Sequence, residues 1–152
     1  MQPSLYDQDF HAWLTHNAHL AREGRPDQLD LKHLAEELEA MSKSELRALE
    51  SRLAVLLAHL LKWEYQPSHR TKSWERTLIE QRKRIARLLR DSPSLKPKLD
   101  ESLPDAYESA TRWAADETGM DESDFPATCP YRIEQILDKR FLPIASSKHP
   151  SA

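Results

Sequence analysis

One apolar segment limits the possible folds of this chain more than any other feature. Residues 53–61, LAVLLAHLL, are apolar almost all the way round a helix, and His59 is the only interruption. A helix of this kind is buried on every side. It therefore predicts a central helix within a bundle of amphipathic helices. No alternating strand pattern of useful length occurs elsewhere in the chain, so we expect an all-α fold.

Turn and capping residues divide the N-terminal half into helices. A first helix is expected from near Ser4 to the turn at Gly24, and Asp30 is a suitable N-cap for a second helix. Residues 42–45, SKSE, have the pattern of a capping box, which favours a new helix there after a kink. Alternatively, one helix spans residues 31–64, and the sequence leaves both possibilities open.

The C-terminal half continues the helical pattern. We expect a basic helix over residues 73–91 and a helix from about Pro104, as a first-turn proline, to Thr118, with Gly119 as its C-terminal cap. A short helix over residues 131–138 follows. The predicted fold is a single compact bundle of about five helices, with a domain over residues 1–143 and a disordered tail over residues 144–152.

Composition excludes several classes of site. Two glycines cannot build a Gly-rich phosphate loop, and the single cysteine, Cys129, excludes an internal disulfide or a thiolate zinc site. No segment reaches the roughly 18 consecutive apolar residues that span a bilayer. The N-terminal sequence lacks the basic flank and apolar stretch of a secretory signal. We therefore expect a cytoplasmic protein with no cofactor, no metal and no membrane association.

Charge is distributed unevenly along the chain. Residues 70–90 carry eight basic and two acidic side chains, whereas residues 91–126 carry three basic and ten acidic ones. The simpler interpretation is attraction between neighbouring helices, and the alternative is a surface for nucleic acid or a charged partner. At 100° per residue, four cations form an exposed stripe opposite the predicted core face of this helix. They are Arg76, Lys83, Arg87 and Arg90.

Two polar side chains fall on apolar helix faces. Arg82 lies about 40° from Leu78 on the predicted core face, so its guanidinium needs a carboxylate or several carbonyls as partners, or it lines a pocket for an anion. His59 is either a hydrogen-bonded core residue or a functional one. Glu36 or Glu37 is a candidate counter-charge for Arg82. An aromatic corner follows the central helix, and it is either packing or a site that stacks a ligand or nucleotide; its residues are Trp63, Tyr65, His69, Arg70 and Trp74.

A candidate ligand pocket combines these positions: Glu36, Glu37, His59, Trp63, Tyr65 and Arg82.

Several motifs in order resemble a known family. They are YDQDFHAW at 6–13, LAEELE at 34–39, LESRL at 49–53, HLLKWEYQP at 59–67, SW at 73–74, QR at 81–82 and CPY at 129–131. This series resembles the bacterial family catalogued as domain of unknown function 29, over about residues 4–143. The resemblance implies an all-helical single domain and no particular activity. It also marks family-pattern positions: Trp13, Glu36, Glu37, His59, Trp63, Tyr65, Arg82 and Tyr131.

Three functions remain open from the sequence. The first is a non-enzymatic helical module that binds another protein, favoured by the absence of a recognisable catalytic arrangement. The second is a nucleic-acid-associated protein, such as a toxin–antitoxin component, that uses the basic helix over residues 73–90 on phosphates. The third is a ligand binder or enzyme with a polar pocket around Glu37, His59 and Arg82. A homodimer is compatible with each of these.

Overall fold

The computed structural model describes residues 3–146, and this part of the chain is all-α, as the sequence predicts. It contains six α-helices, four of them long, and no strand. None of its helices is both long enough and apolar enough to cross a membrane. The helices are α1 (Leu5–Gln8), α2 (Phe10–Arg22), α3 (Leu31–Tyr65), α4 (Lys72–Asp91), α5 (Lys98–Thr118) and α6 (Ile133–Leu137).

The chain divides into two compact units, residues 1–44 and residues 45–152. The first unit contains α1, α2 and the beginning of α3. The predicted single first helix is in fact two helices, because Asp9 adopts an extended backbone and its carboxylate accepts the backbone N–H of Ala12 at 3.0 Å. Asp9 thus starts α2 as its N-cap. The buried residues of α2 are Trp13, Asn17 and Leu20.

Helix α3 settles the choice between one helix and two, because it is a continuous helix of 35 residues. The segment with the capping-box pattern lies inside it. No residue before Leu49 is buried in α3, whereas most residues after it are. The segment apolar on all sides therefore forms the centre of the second unit's core, as predicted. The fully buried leucines of α3 are Leu49, Leu53, Leu56, Leu57, Leu60 and Leu61.

The rest of the second unit's core comes from α4, α5 and α6 and from three residues between them, Leu95, Phe125 and Tyr131. Leu78 and Ile85 are the buried apolar residues of α4, and Ile136 is the buried residue of α6. Helix α5 buries alanines at four-residue spacing, namely Ala106, Ala110 and Ala114. Residues four apart lie on one helix face, so this face is smooth and allows close packing.

The start of α5 differs from the prediction. The helix begins at Lys98, so Pro104 lies inside it rather than in its first turn. Leu99 and Ser102 are buried, and their packing holds the turns that precede the proline. The C-terminal end is as predicted, since Gly119 has a φ of 77° and its N–H bonds to the carbonyl of Ala115 at 2.9 Å.

The chain continues after α6 to the end of the described residues. Ile144 is exposed, and the backbone N–H of Ser146 donates to the carbonyl of Glu64 at 3.1 Å. The predicted disordered tail begins at residue 144, and its residues 147–152 lie outside the described part of the chain.

Candidate functional site

The first turn of α3 is held by one carboxylate. Asp30 is its N-cap, as predicted, since one of its oxygens accepts the backbone N–H of His33 at 3.4 Å. The other oxygen accepts the indole N–H of Trp13 at 2.8 Å and lies 2.7 Å from Nδ1 of His33. The hydrogen bond from His33, and then that from Trp13, lowers the pKa of Asp30 from its ordinary value. Asp30 is therefore an ionised anchor between α2 and α3.

Buried Asn17 adds a second link between these two helices. Its amide N–H donates to the carbonyl of Trp13 at 2.9 Å, and its amide oxygen accepts the backbone N–H of Asp30 at 2.9 Å. An amide that both donates and accepts in a buried position is satisfied, so it fixes the local geometry without a desolvation penalty. Asn17 was not among the residues that the sequence singled out, because its role depends on contacts across the turn.

Tyr6 carries the same network to Glu37, one of the predicted pocket residues. Its ring stacks on His33 with centroids 4.1 Å apart and planes 8° apart, and its hydroxyl donates to the carboxylate of Glu37. This hydrogen bond, followed by burial, raises the pKa of Tyr6 to about 12. Tyr6 is therefore a neutral donor that fastens α1 to α3. Glu36, the adjacent predicted residue, is exposed.

A stripe of apolar side chains on α3 is largely uncovered. Leu31 is 66% exposed, Leu38 and Met41 are each 64% exposed, and Leu34 is partly buried. The spacings of three, four and three residues place the four side chains on one helix face. We call this set the leucine stripe. Three other apolar side chains of the first unit are more than 40% exposed: Leu5, Phe10 and Leu14.

His59 lies within a small polar cluster in the second unit. Its Nδ1 is 2.9 Å from the carbonyl of Val55. Because a carbonyl only accepts hydrogen bonds, Nδ1 carries the ring proton and donates it. Nε2 is then an acceptor, and it lies 3.5 Å from Nζ of Lys62. Burial lowers the pKa of His59, and the positive charge of Lys62 lowers it further. His59 is therefore a neutral, hydrogen-bonded residue near neutral pH.

Lys62 is the residue of this cluster that sequence reasoning missed. It is only 4% exposed, forms an ion pair with Glu117 and lies 4.9 Å from the ring centroid of Trp74. These contacts connect α3 with α5 and α4. A signal was present in the sequence, because Lys62 directly follows the segment that is apolar on all sides and so must be enclosed with it.

The predicted aromatic corner packs on itself. The side chain of Arg70 donates from Nε to the backbone carbonyl of Trp63 at 2.9 Å, and its guanidinium lies 4.6 Å from the centroid of the Trp63 ring. Tyr65 meets Phe125 edge to face at 5.2 Å. These contacts are the cation–π and aromatic packing expected of a buried corner.

Arg82 is buried, as the sequence predicts, and its partners are carbonyls. Its Nε donates to the carbonyl of Ile136 and its Nη2 to that of Phe141, each at 2.9 Å. Burial lowers the pKa of Arg82, while the nearby charge of Asp138 raises it. Arg82 thus anchors α6 and the segment after it to α4, and a glutamate from the beginning of α3 is not among its hydrogen-bond partners.

Tyr131, another family-pattern position, is also buried and bonded. Its hydroxyl donates to the carboxylate of Glu64 at 2.9 Å, and burial strongly raises its pKa. The neighbouring thiol of Cys129 lies 3.5 Å from the carbonyl of Tyr131, and burial raises its pKa as well. Cys129 is therefore a protonated, half-buried thiol rather than an activated nucleophile.

The predicted candidate residues thus fall into two groups. Glu36 and Glu37 belong to the first unit, and the other four pocket residues belong to the second, where His59 and Arg82 have separate hydrogen-bond partners. The four cations of the basic stripe on α4 are all exposed: Arg76, Lys83, Arg87 and Arg90. Between residues 3 and 146, no group of three or more His, Cys, Asp or Glu side chains is placed to hold a metal ion.

Comparison with models of protein families identifies a match. The model of a family described as "Domain of unknown function DUF29" matches residues 5–142, nearly the whole chain. No curated protein and no solved structure shows significant similarity to it.

Proposed function

The chain belongs to the DUF29 family, and from its surface we propose that it is a helical interaction module that binds another protein. The leucine stripe on α3 is the observation that supports this proposal. Leu31, Leu38 and Met41 are each about two-thirds exposed. Full burial of such a side chain contributes roughly 1.5–3 kcal/mol, so covering the stripe would strongly favour association.

The spacing of the stripe indicates how a partner would bind. Separations of three, four and three residues are those of the a and d positions of a coiled coil, which accept the side chains of a facing helix. The stripe begins in the first turn of α3, where Asp30 and Tyr6 hold the helix through hydrogen bonds. A surface that is already ordered loses little conformational entropy on binding. We therefore propose an amphipathic helix as the partner element.

Charge favours a basic partner over a second copy of the chain. Residues 1–44 contain eight acidic and four basic side chains, and at 100° per residue Glu37 borders the stripe, whereas Glu36 and Glu39 lie farther round the helix. Two copies of this unit would repel each other, whereas a helix with lysines or arginines beside its leucines would be attracted. The proposed partner is thus a protein with a basic amphipathic helix.

A peptide titration tests this function. The probes are two synthetic amphipathic helices with leucine at a and d positions and either lysine or glutamate at e and g. We expect saturable binding of the lysine peptide alone. Leu38→Glu should weaken it at least tenfold, while the matched variant Ala40→Glu, which adds the same charge off the stripe, should weaken it far less.

Three results would contradict the proposal. They are no saturable binding, equal losses in the two variants, and a self-associated chain that Leu38→Glu converts to monomers. The last would identify a second copy as the occupant of the stripe.

Nucleic-acid binding is the second candidate, and the exposure of the basic stripe favours it. Arg76, Lys83, Arg87 and Arg90 lie on one face of α4 and point away from its core face. Four phosphate contacts predict that the logarithm of affinity for duplex DNA falls with log salt at a slope of about −3.6. A DNA affinity that is the same at 50 and 200 mM salt would reject this function.

A further inference from the structure

We infer that a small cavity beside Arg82 binds a ligand that ends in a phosphate or carboxylate group. The cavity has a volume of about 170 Å³ and is lined by Ile79, Arg82, Lys83 and Lys139. Three of its four lining residues are cations. This site lies in the second unit and does not depend on the leucine stripe.

The charge of Arg82 is incompletely neutralised, which is the main argument for an anion. Arg82 is only 5% exposed, and its hydrogen bonds within residues 3–146 go to two backbone carbonyls. A buried cation normally has a carboxylate in contact with it. In the described part of the chain, Arg82, Lys83 and Lys139 form no ion pair with a carboxylate.

Two acidic groups interact with the cations of the cavity and do not remove the excess of positive charge. Asp138 interacts electrostatically with Arg82, but one of its carboxylate oxygens accepts the backbone N–H of Arg140 at 2.9 Å. Glu80 interacts electrostatically with Lys83, but its carboxylate accepts a hydrogen bond from Nε of Arg84 at 2.8 Å. Two carboxylates beside the three cations of the cavity still leave a net positive charge. An oxyanion in the cavity would complete the neutralisation.

Arg82 also retains donors for an oxyanion. A guanidinium has five N–H groups, and the carbonyls of Ile136 and Phe141 use one on Nε and one on Nη2. Nη1 has no hydrogen-bond partner among residues 3–146. The carbonyls hold the guanidinium in place, so its remaining donors are oriented before a ligand arrives.

Size and lining limit the ligand to a small molecule. The cavity is roughly six times the volume of a water molecule in the liquid, well below the volume of pockets for drug-sized ligands. Ile79, 59% exposed, supplies an apolar wall. The site therefore fits an anionic group with a short apolar portion and is too small for a nucleotide.

Calorimetric titration of the full chain at constant ionic strength tests the site, with butyl phosphate, butyrate and neutral butanol as probes. We expect saturable binding of at least one anionic probe and none of butanol. The tighter anion identifies the phosphate or carboxylate class. Lys139→Gln and Lys83→Gln should each weaken binding at least fivefold, and Arg87→Gln, which removes a cation of the same helix outside the cavity, should leave it within twofold.

Several outcomes would overturn the site. They are the absence of saturable binding for both anions, equal binding of butanol, and an Arg87→Gln effect as large as that of Lys139→Gln, which would reflect general electrostatic attraction. The tests rest on the exposed lysines because replacement of buried Arg82 could unfold the segment that it anchors.

Discussion

Single carboxylates and amides do much of the positioning in the first unit. Asp30 caps α3, accepts the indole N–H of Trp13 and bonds His33, so three groups depend on one side chain. The sequence predicted the cap, because a short acidic residue before an apolar pattern is a local signal. The bond to Trp13 spans 17 residues and follows only from the fold.

Replacing Asp30 separates these roles. Asp30→Ala removes the cap and leaves the indole N–H of Trp13 without its acceptor, so we expect a loss of about 2 kcal/mol in unfolding free energy. Asp30→Asn retains an acceptor oxygen and should lose less than half as much. Urea denaturation followed by circular dichroism measures both, and a loss below 0.5 kcal/mol for Asp30→Ala (roughly the effect of a neutral surface change) would contradict this role.

The cluster of His59 and Lys62 makes stability depend on pH. The pKa of His59 is lowered from 6.5 in the folded chain, so the unfolded chain binds more protons as the pH falls. Its contribution is fully present above about pH 6.5 and is lost as the pH falls through the lower, folded pKa. Protonation would also place a second cation 3.5 Å from Nζ of Lys62.

His59→Gln tests this dependence. We expect the wild-type chain to lose more unfolding free energy between pH 7.5 and 5.5 than the variant, because glutamine does not titrate. Urea denaturation at both pH values measures the difference. Equal losses in the two proteins would show that another group is responsible.

At the scale of helices, α3 shows what local patterns leave open. The SKSE segment resembles a capping box, yet the helix runs through it without a break. No glycine or proline occurs between residues 27 and 66, so nothing turns the chain there. Continuing a helix through a serine costs only a few tenths of a kcal/mol, so one long helix is more stable than two helices separated by a break.

Two other helix starts were wrong for a related reason. The apolar pattern over α1 and α2 is continuous, so the break at Asp9 is marked only by a capping aspartate. For α5, the sequence placed the start at Pro104, but Leu99 and Ser102 are buried upstream of it. Tertiary packing there outweighs the cost of a proline inside a helix.

Replacing a leucine of α3 by alanine should affect the unfolding free energy differently at a buried position and at an exposed one. Leu57 is fully buried, and Leu57→Ala should cost 2–5 kcal/mol, as is typical of core leucines (about the range observed for cavity formation). Leu38 is 64% exposed, so Leu38→Ala should change unfolding free energy by less than about 0.5 kcal/mol.

Thermal and urea denaturation compare the two variants. A large loss in Leu38→Ala would mean that the leucine stripe stabilises the isolated chain and is not a free docking surface. A small loss with weaker binding of the lysine peptide would separate binding from folding.

At the scale of the whole molecule, the sequence predicted the class of fold and several unusual residues. The all-α class follows from periodicity, and Arg82 and His59 were both recognised as polar residues on apolar faces. Their partners could not be predicted, because the carbonyls that bind Arg82 lie 54 and 59 residues away along the chain. The exposure of the leucine stripe could not be predicted from the sequence either, because an apolar helix face is usually buried within its own fold.

Photo-crosslinking in cells that express the protein is the most direct test of a partner on the leucine stripe. A photoreactive amino acid replaces Leu38 in one variant and Ala40 in another. We predict that the Leu38 variant alone crosslinks to a different protein, through a peptide with leucines at helical spacing and neighbouring lysines or arginines. Crosslinks from Leu38 only to a second copy of the chain, or equal crosslinking from both positions, would contradict the account.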